Sequence, residues 1–311
     1  MPTPLARFVL LLSAAAALAL GCSDPAASEA PTAASASPAA SASATEPTRA
    51  TATAAASPAA SASAAPSASA SPSTSPAAST PSGTVPPPRP TTTIPLAVPS
   101  GAAEIERGTR SRQEVALTID CGWRFDATAD ILRILEEEDV VTTWFMMGIW
   151  AEAHPELTRR IAAKHELATH SWDHPDYRDL TDAQIAADLK RTDDYLRTFS
   201  GRSSAPVWRA PSAARNQRVL DAAARAGFPL HIFWTIGQTS AGTASGDSRD
   251  WTEAPASAVR ANLLRAIGLG GGAILVAHCD AEATRDVLRE VVREYRRAGL
   301  QFVTVSQLLR P

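Results

Sequence analysis

Residues 23 to about 100 limit the fold more than any other stretch, because they consist almost entirely of alanine, serine, proline and threonine. No aromatic residue occurs there, so the stretch cannot bury enough apolar surface to offset the entropy lost on ordering. We therefore predict a disordered linker over 23–104 and a folded domain over 105–311. About two hundred residues suffice for one well-packed domain, and all seven tryptophans lie within it.

The first 22 residues have the pattern of an export signal. A positive Arg7 precedes an apolar run from Phe8 to Leu20, and Gly21-Cys22 follows. The segment resembles bacterial lipoprotein signal peptides, and this resemblance implies that Cys22 becomes the lipidated N-terminus. An ordinary secretory signal or an uncleaved anchor is the alternative. We expect an exported protein, held on the cell membrane by a lipid and facing the cell wall or periplasm.

Charge and cysteine content narrow the classes of partner. A net charge of -3 gives no sign of the basic surface that a nucleic-acid partner requires. Cysteine occurs three times, at Cys22, Cys121 and Cys279. Because export permits oxidation, the last two are candidates for a disulfide.

Short apolar segments alternate with amphipathic helical patterns along the domain. The predicted strands include 115–119, 140–147, 207–209, 230–236, 273–277 and 302–305. The predicted helices are 130–138, 155–164, one that begins at the capping-box pattern 181–184 and ends at Gly201, 216–226, one capped by Ser257 that runs to 267, and 283–298. This order predicts an α/β fold with a parallel sheet that closes into a barrel.

Chemically active side chains follow the predicted strands. In parallel barrels the catalytic groups stand at the carboxyl ends of the strands. The residues at these positions are Asp120, Cys121, His170, His174, Arg209, Asp250 and His278. The two histidines of 170–174 precede Pro175, which favours a loop over a helix. Their convergence with acids from other strands predicts a metal-binding pair.

Five ordered motifs resemble the polysaccharide deacetylase (NodB-homology, carbohydrate esterase) family over residues 115–309. Residues 118–122 are similar to T-F-D-D-G, 170–174 to H-[ST]-x-x-H, and 208–212 to the R-P-P-Y segment. Asp250-Trp251 resembles the fourth motif and 276–278 the fifth. The resemblance implies a distorted parallel (β/α)7 barrel. It also implies a hydrolase that acts on carbon–nitrogen bonds of non-peptide amides, with an N-acetylated polysaccharide or oligosaccharide as substrate.

The same resemblance implies a role for each matching residue. His170 and His174 would bind a divalent metal, usually Zn²⁺, which polarises the acetamide carbonyl and acidifies a bound water. Asp120 would be the general base and His278 the general acid. Arg209 would orient Asp120, and a backbone N–H near Ser212 would help to hold the oxyanion. The implied substrate-binding residues are Pro211, Ser212, Asp250 and Trp251.

Cys121 departs from the family, which has an aspartate as third metal ligand at this place. In one interpretation Cys121 is a thiolate ligand, and the Cys-His-His site keeps a fourth position open for water. In the other, slightly favoured, Cys121 pairs with Cys279 and its sulfur is lost to the metal.

The fourth motif departs as well. Gly237 falls about where its first acid is expected, and Asp250 comes only after the Gly/Ser/Thr-rich loop 238–249. Whether Asp250 folds back to the site stays open at this point. We interpret the loop as a mobile flap over the cleft.

These patterns predict a metal-dependent deacetylase of extracytoplasmic glycans. Peptidoglycan is the favoured substrate, because an anchored enzyme on a long tether meets the cell wall first, while chitin oligomers, poly-N-acetylglucosamine and acetylated xylan stay open. The alternative is a catalytically weak, deacetylase-like glycan-binding protein with an incomplete metal site. An exported zinc peptidase has less support, because no glutamate follows the first histidine of H-x-x-x-H.

Overall fold

A curved parallel sheet with flanking helices carries the cleft. The computed structural model describes residues 96–122, 124 and 126–311; the export signal with Cys22, most of the predicted linker and Trp123 lie outside these residues. The strands are β1 Ala103–Ile105, β2 Glu114–Cys121, β3 Thr143–Met146, β4 Glu166–Thr169, β5 Val207–Trp208, β6 Leu230–Ile232, β7 Ile236–Thr239, β8 Gly242–Ser245, β9 Ile274–His278 and β10 Gln301–Phe302. The helices are α1 Thr128–Glu137, α2 Gly148–Ala153, α3 Pro155–Lys164, α4 Asp182–Ser200, α5 Gln217–Arg225, α6 Ala256–Arg265, α7 Glu282–Arg297 and α8 Val305–Leu308.

The sheet has eight strands in the order β1-β6-β5-β4-β3-β2-β10, and β9 also pairs with β2. Its strand pairings are parallel, which confirms the predicted α/β barrel class. β1 begins at Ala103, inside the predicted linker, because Glu104 pairs in register with His231 of β6. Asp120 of β2 lies in register with His278 of β9. The two residues therefore lie side by side at the carboxyl ends of neighbouring strands.

Local signals explain several helix limits. α3 begins at Pro155, as predicted. At α4 the Thr181 side chain and the Gln184 side chain each bond the other's backbone, and Gly201 ends the helix with a left-handed φ of 70°. The predicted cap at Ser257 is wrong, because the extended backbone of Pro255 is the N-cap and Ser257 lies inside α6.

Residues 236–245, which include most of the predicted loop 238–249, form an antiparallel hairpin of β7 and β8. Ala244 is buried in the same apolar cluster as Leu269, so the hairpin is packed against the domain. At its base Gly246 N–H donates to the Thr235 carbonyl at 2.7 Å. The chain then runs beside β9, where Ser248 N–H donates to the Val276 carbonyl at 3.0 Å. This hydrogen bonding places residues 247–250 beside the cleft.

The side chains of β2 alternate between two apolar layers, as a strand requires. Leu117, Ile119 and Cys121 belong to the layer that packs against α1 and α7. Ala116 belongs to a second apolar cluster, which also contains Phe145. Asp120 lies on the same face of β2 as Ala116 and lines the cleft. Asp120 and Cys121 therefore point in opposite directions. Within the described residues, none of the helices combines the length and apolar character needed to cross a bilayer.

Candidate active site

A cleft of about 950 Å³ opens at the carboxyl ends of the strands. It brings together residues that the sequence places far apart. The predicted residues that line it are Asp120, His170, His174, Arg209, Ser212, Asp250, Trp251 and His278. Pro211 is buried and is not one of the lining residues, so its predicted contact with substrate is not supported.

Arg209 holds Asp120 at the floor of the cleft. Its Nη1 donates to Asp120 Oδ1 at 2.5 Å and to Thr118 Oγ1 at 2.9 Å, while Nε donates to the Ile232 carbonyl at 3.0 Å. The guanidinium lies over the Phe145 ring, 4.1 Å from its centroid. Burial opposes the charge of Asp120, but Arg209 and then His170 outweigh it and hold the pKa of Asp120 below its usual range. Asp120 is therefore a carboxylate at neutral pH.

The two histidines stand beside this carboxylate with ring centroids 5.1 Å apart. His170 Nδ1 lies 3.1 Å from the Arg209 carbonyl, which only accepts, so Nδ1 carries the proton and Nε2 keeps its lone pair. His170 Nε2 is 3.8 Å from Asp120 Oδ2. Burial lowers the pKa of His170 to about 4 and also lowers that of His174. Both imidazoles are neutral at pH 7, the form that binds metal.

Asp188 of α4, which sequence reasoning missed, holds the loop that carries these histidines. Its carboxylate accepts from Trp172 N–H at 3.0 and 3.2 Å and from the Tyr177 hydroxyl at 2.5 Å. The loop needs such support because Ser171 and His174 have left-handed φ values of 74° and 66°. In the sequence, Asp188 could have been recognised as an acid next to Leu189, which lies on the buried face of α4.

Asp250 folds back to the site, where it binds His278. Its Oδ1 lies 2.7 Å from His278 Nδ1, and its Oδ2 accepts from His278 N–H at 2.9 Å and from Thr284 Oγ1 at 2.5 Å. The Asp250 side chain is 0% exposed and both of its oxygens are engaged, so its predicted contact with substrate is not supported. Burial opposes the charged form of His278, but the hydrogen bond and charge of Asp250 raise its pKa to about 9.

Asp247 is a second residue that sequence reasoning missed. It lines the cleft. Burial lowers the pKa of Arg209, and the charge of Asp247 adds to the larger opposing effect of Asp120. Gly237, where the first acid of the fourth motif was expected, lies instead in β7. The signal was the spacing of Asp247 three residues before Asp250, which was obscured because the hairpin separates both residues from Trp234.

Ser212 and Trp251 form parts of the cleft mouth. Ser212 lies in a short turn after β5 with a left-handed φ of 49°. Trp251 follows Asp250 in a 3₁₀ turn and is 61% exposed. Both residues therefore lie where a ligand in the cleft can reach them.

Cys121 forms a disulfide with Cys279, and their Cα atoms are 5.2 Å apart. Both cysteines are fully buried in the apolar layer between the sheet and the helices. The alternative role of Cys121 as a metal ligand is therefore not supported, because its sulfur is bonded and points away from the histidines. In the part of the chain that the structure describes, no three His, Cys, Asp or Glu side chains are arranged to hold a metal ion. Of the three protein ligands that the resemblance implies, His170 and His174 line the cleft, and residue 121 is engaged in the disulfide.

Comparison with known proteins agrees with this geometry. The family model for polysaccharide deacetylase matches residues 107–231. A chitooligosaccharide deacetylase of Bradyrhizobium sp. is 31% identical over 234 residues, which are 70% of this chain and 99% of that protein. The peptidoglycan-N-acetylglucosamine deacetylase PgdA of Listeria monocytogenes is 26% identical over 200 residues, which are 64% of this chain and 39% of that enzyme.

A solved structure adds a relative of a different kind. It is a mutant, with restored enzymatic activity, of a Bacillus anthracis pseudoenzyme from carbohydrate esterase family 4. The two chains are 25% identical and superpose with a TM-score of 0.59 over 67% of this chain and 71% of the other. On fold, site and similarity together, this chain belongs to the polysaccharide deacetylase family, a family of hydrolases that act on the amide bonds of N-acetyl groups.

Proposed function

We propose that this protein is an extracytoplasmic deacetylase that removes N-acetyl groups from a glycan. The observation that carries the proposal is the pair Asp120 and His278, which end neighbouring strands and line one cleft. The lowered pKa of Asp120 keeps it a carboxylate, whereas the raised pKa of His278, about 9, keeps it an imidazolium at neutral pH. One group is ready to accept a proton and the other to donate one.

The proton transfers follow from these two states. Asp120 Oδ2, which is not bonded to Arg209 Nη1, takes a proton from water as the water oxygen attacks the acetamide carbonyl carbon. His278 then gives a proton to the nitrogen as the carbon–nitrogen bond breaks, which releases acetate and leaves an amine on the sugar. Arg209 fixes the position of Asp120, and Asp250 keeps His278 protonated. A backbone N–H near Ser212 would stabilise the oxyanion.

Metal dependence is part of the proposal, with Zn²⁺ as the favoured ion. His170 and His174 would hold it, since neutral imidazole is a good zinc ligand. When bound, the ion supplies polarisation of the acetamide carbonyl and a more acidic water. Because the third protein ligand is missing, we expect weaker retention of metal than in a site with three protein ligands.

We propose peptidoglycan as the substrate and the outer face of the cell membrane as the location. The support is the predicted lipid anchor at Cys22 and the long linker, which would let the domain reach the wall. The similarity to the Listeria peptidoglycan deacetylase is consistent with this choice. Chitin oligomers are the main competing substrate, given the similarity to a chitooligosaccharide deacetylase.

The test is acetate release from purified peptidoglycan and from chitotetraose, with metal content measured on the same protein. Asp120→Asn and His278→Gln should each abolish release. Asp130→Asn is the matched control, because Asp130 is an acid of α1 outside the cleft lining whose side chain is 49% exposed and pairs with Arg133. Release that persists in Asp120→Asn would refute the acid–base assignment.

A second candidate is a glycan-binding protein with little or no catalysis. The disulfide at the third ligand position favours it, as does the similarity to a pseudoenzyme. One equivalent of zinc with acetate release supports the deacetylase. No zinc and no acetate, with retained binding of wall glycans, supports the second candidate.

A further inference from the structure

A stack of side chains connects β1 to the wall of the cleft. The Phe233 ring stacks on the Trp234 ring with centroids 3.9 Å apart and 21° between their planes. The Arg215 guanidinium carbon lies 4.1 Å from the Phe233 centroid. Two groups this close cannot share one face of a ring, so Phe233 is held between Arg215 and Trp234. We call Arg215, Phe233 and Trp234 the aromatic stack.

Glu104 fixes the outer end of the aromatic stack. Arg215 Nε donates to Glu104 Oε2 at 2.5 Å, and Nη2 donates to Oε1 at 2.9 Å. Arg215 Nη1 also donates to the Ala213 carbonyl at 3.1 Å. A bidentate Arg–carboxylate pair restricts the guanidinium in position and in plane. Arg215 therefore holds the ring of Phe233 in place, and Phe233 in turn holds the indole of Trp234.

Trp234 differs from the tryptophans that build the interior. Trp144, Trp150 and Trp208 are buried members of the apolar clusters. Trp234 is only half-buried, belongs to none of the clusters found among the described residues, and lines the cleft together with Asp120 and His278. Phe233 covers one face of the indole, so the part of Trp234 that lines the cleft belongs to the other face or to the edge of the ring. An apolar surface held in an open cleft indicates a ligand that covers it.

We propose that Trp234 is a stacking platform for a pyranose ring next to the sugar whose N-acetyl group is cleaved. This inference rests on the proposed function, since it assigns a sugar subsite to the same cleft. The ligand that fits is a gluco-configured pyranose, whose equatorial hydroxyls leave C–H bonds on both ring faces. Because the aromatic stack already fixes the indole, a sugar binds there at little cost in side-chain entropy.

The experiment measures binding of chitotetraose by calorimetry in an Asp120→Asn background, where turnover is blocked. Trp234→Ala should weaken binding roughly tenfold or more, in line with the loss of one aromatic stacking contact. Trp234→Phe should retain most of the affinity, because it keeps a ring. Ile236→Ala is the matched control: it removes an apolar side chain that is 54% exposed but lies outside the cleft lining.

Equal affinity in Trp234→Ala and the background would overturn the platform. If Trp234→Ala does not fold, Trp234→Leu takes its place, since it keeps apolar volume without a ring and is also expected to bind weakly. Acetate release by the wild type separates the two proposals. Trp234-dependent binding without acetate release refutes the proposed function and keeps the subsite, whereas acetate release with Trp234-independent binding refutes only the subsite.

Discussion

Breaking the Cys121–Cys279 bond should lower the free energy of unfolding by about 5 kcal/mol, because the bond closes a very long loop. The two cysteines are 158 residues apart in sequence. In the chain-entropy description a disulfide stabilises by restricting the unfolded chain, which gives about 4.7 kcal/mol for a loop of 100 residues and about 5 kcal/mol at the present separation. Both cysteines are buried where β2 and β9 end, so the bond also joins the strands that carry Asp120 and His278.

The assay is urea unfolding followed by tryptophan fluorescence, with Cys22→Ser in every sample so that only the two domain cysteines respond. Oxidised protein, reduced protein and Cys121→Ala/Cys279→Ala are compared. The reduced protein keeps every side chain and lacks only the bond, which makes it the cleanest control. Its midpoint should fall, and its m value should rise, because an uncrosslinked unfolded chain exposes more surface.

Two results would refute this reasoning. Equal midpoints for oxidised and reduced protein would show that the bond does not restrict the unfolded chain. A loss that appears only in the double alanine variant would assign the effect to side-chain packing, which costs roughly 1–3 kcal/mol for lost buried volume. Thiol counting under denaturing conditions must find no free domain thiol in the oxidised sample.

Three smaller perturbations test the surroundings of the site. Asp250→Asn should move the alkaline limb of the kcat/KM profile from near the His278 pKa of about 9 towards ordinary histidine values. It should also remove stability that is fully present below about pH 6.5 and lost as the pH rises through about 9; an unmoved limb contradicts the role of His278. Asp188→Ala should lower glycan affinity and shift the imidazole NMR signals, whereas Asp188→Asn, which keeps an acceptor for Trp172 N–H, should do so less; equal effects would show a general loss of packing. Gly148→Ala should destabilise by roughly 1–3 kcal/mol through overpacking, because a β-carbon there would overlap the Trp172 ring; an unchanged melting temperature would contradict this.

The sequence could predict the elements whose signals are local. Pro155 starts α3, the Thr181 capping box starts α4, and Gly201 ends it, because each acts on its own backbone. Four of the five motifs, at 118–122, 170–174, 208–212 and 276–278, adjoin the carboxyl ends of β2, β4, β5 and β9. Asp120 and His170 therefore reach one cleft as the predicted topology requires.

Contacts between distant segments could not be predicted in the same way. Asp250 was expected to meet substrate, yet its partner His278 lies 28 residues further along the chain, and spacing does not reveal which side chain an acid will face. Cys121 presents a similar problem. β2 continues regularly through residue 121, so strand alternation turns the sulfur towards the helices, a direction that a motif position alone does not specify.

The hydrogen-bonded base of the hairpin separates the position of Asp250 from the length of the hairpin. Thr235 and Gly246 are joined across the base by a hydrogen bond of 2.7 Å, and Thr235 N–H donates to the Ile274 carbonyl at 3.0 Å. The segment that delivers Asp250 is thus positioned by β9 and not by the length of the chain between 236 and 245. A change in the length of the hairpin tip would therefore leave Asp250 beside His278, as long as the packing of Ala244 against the domain is kept.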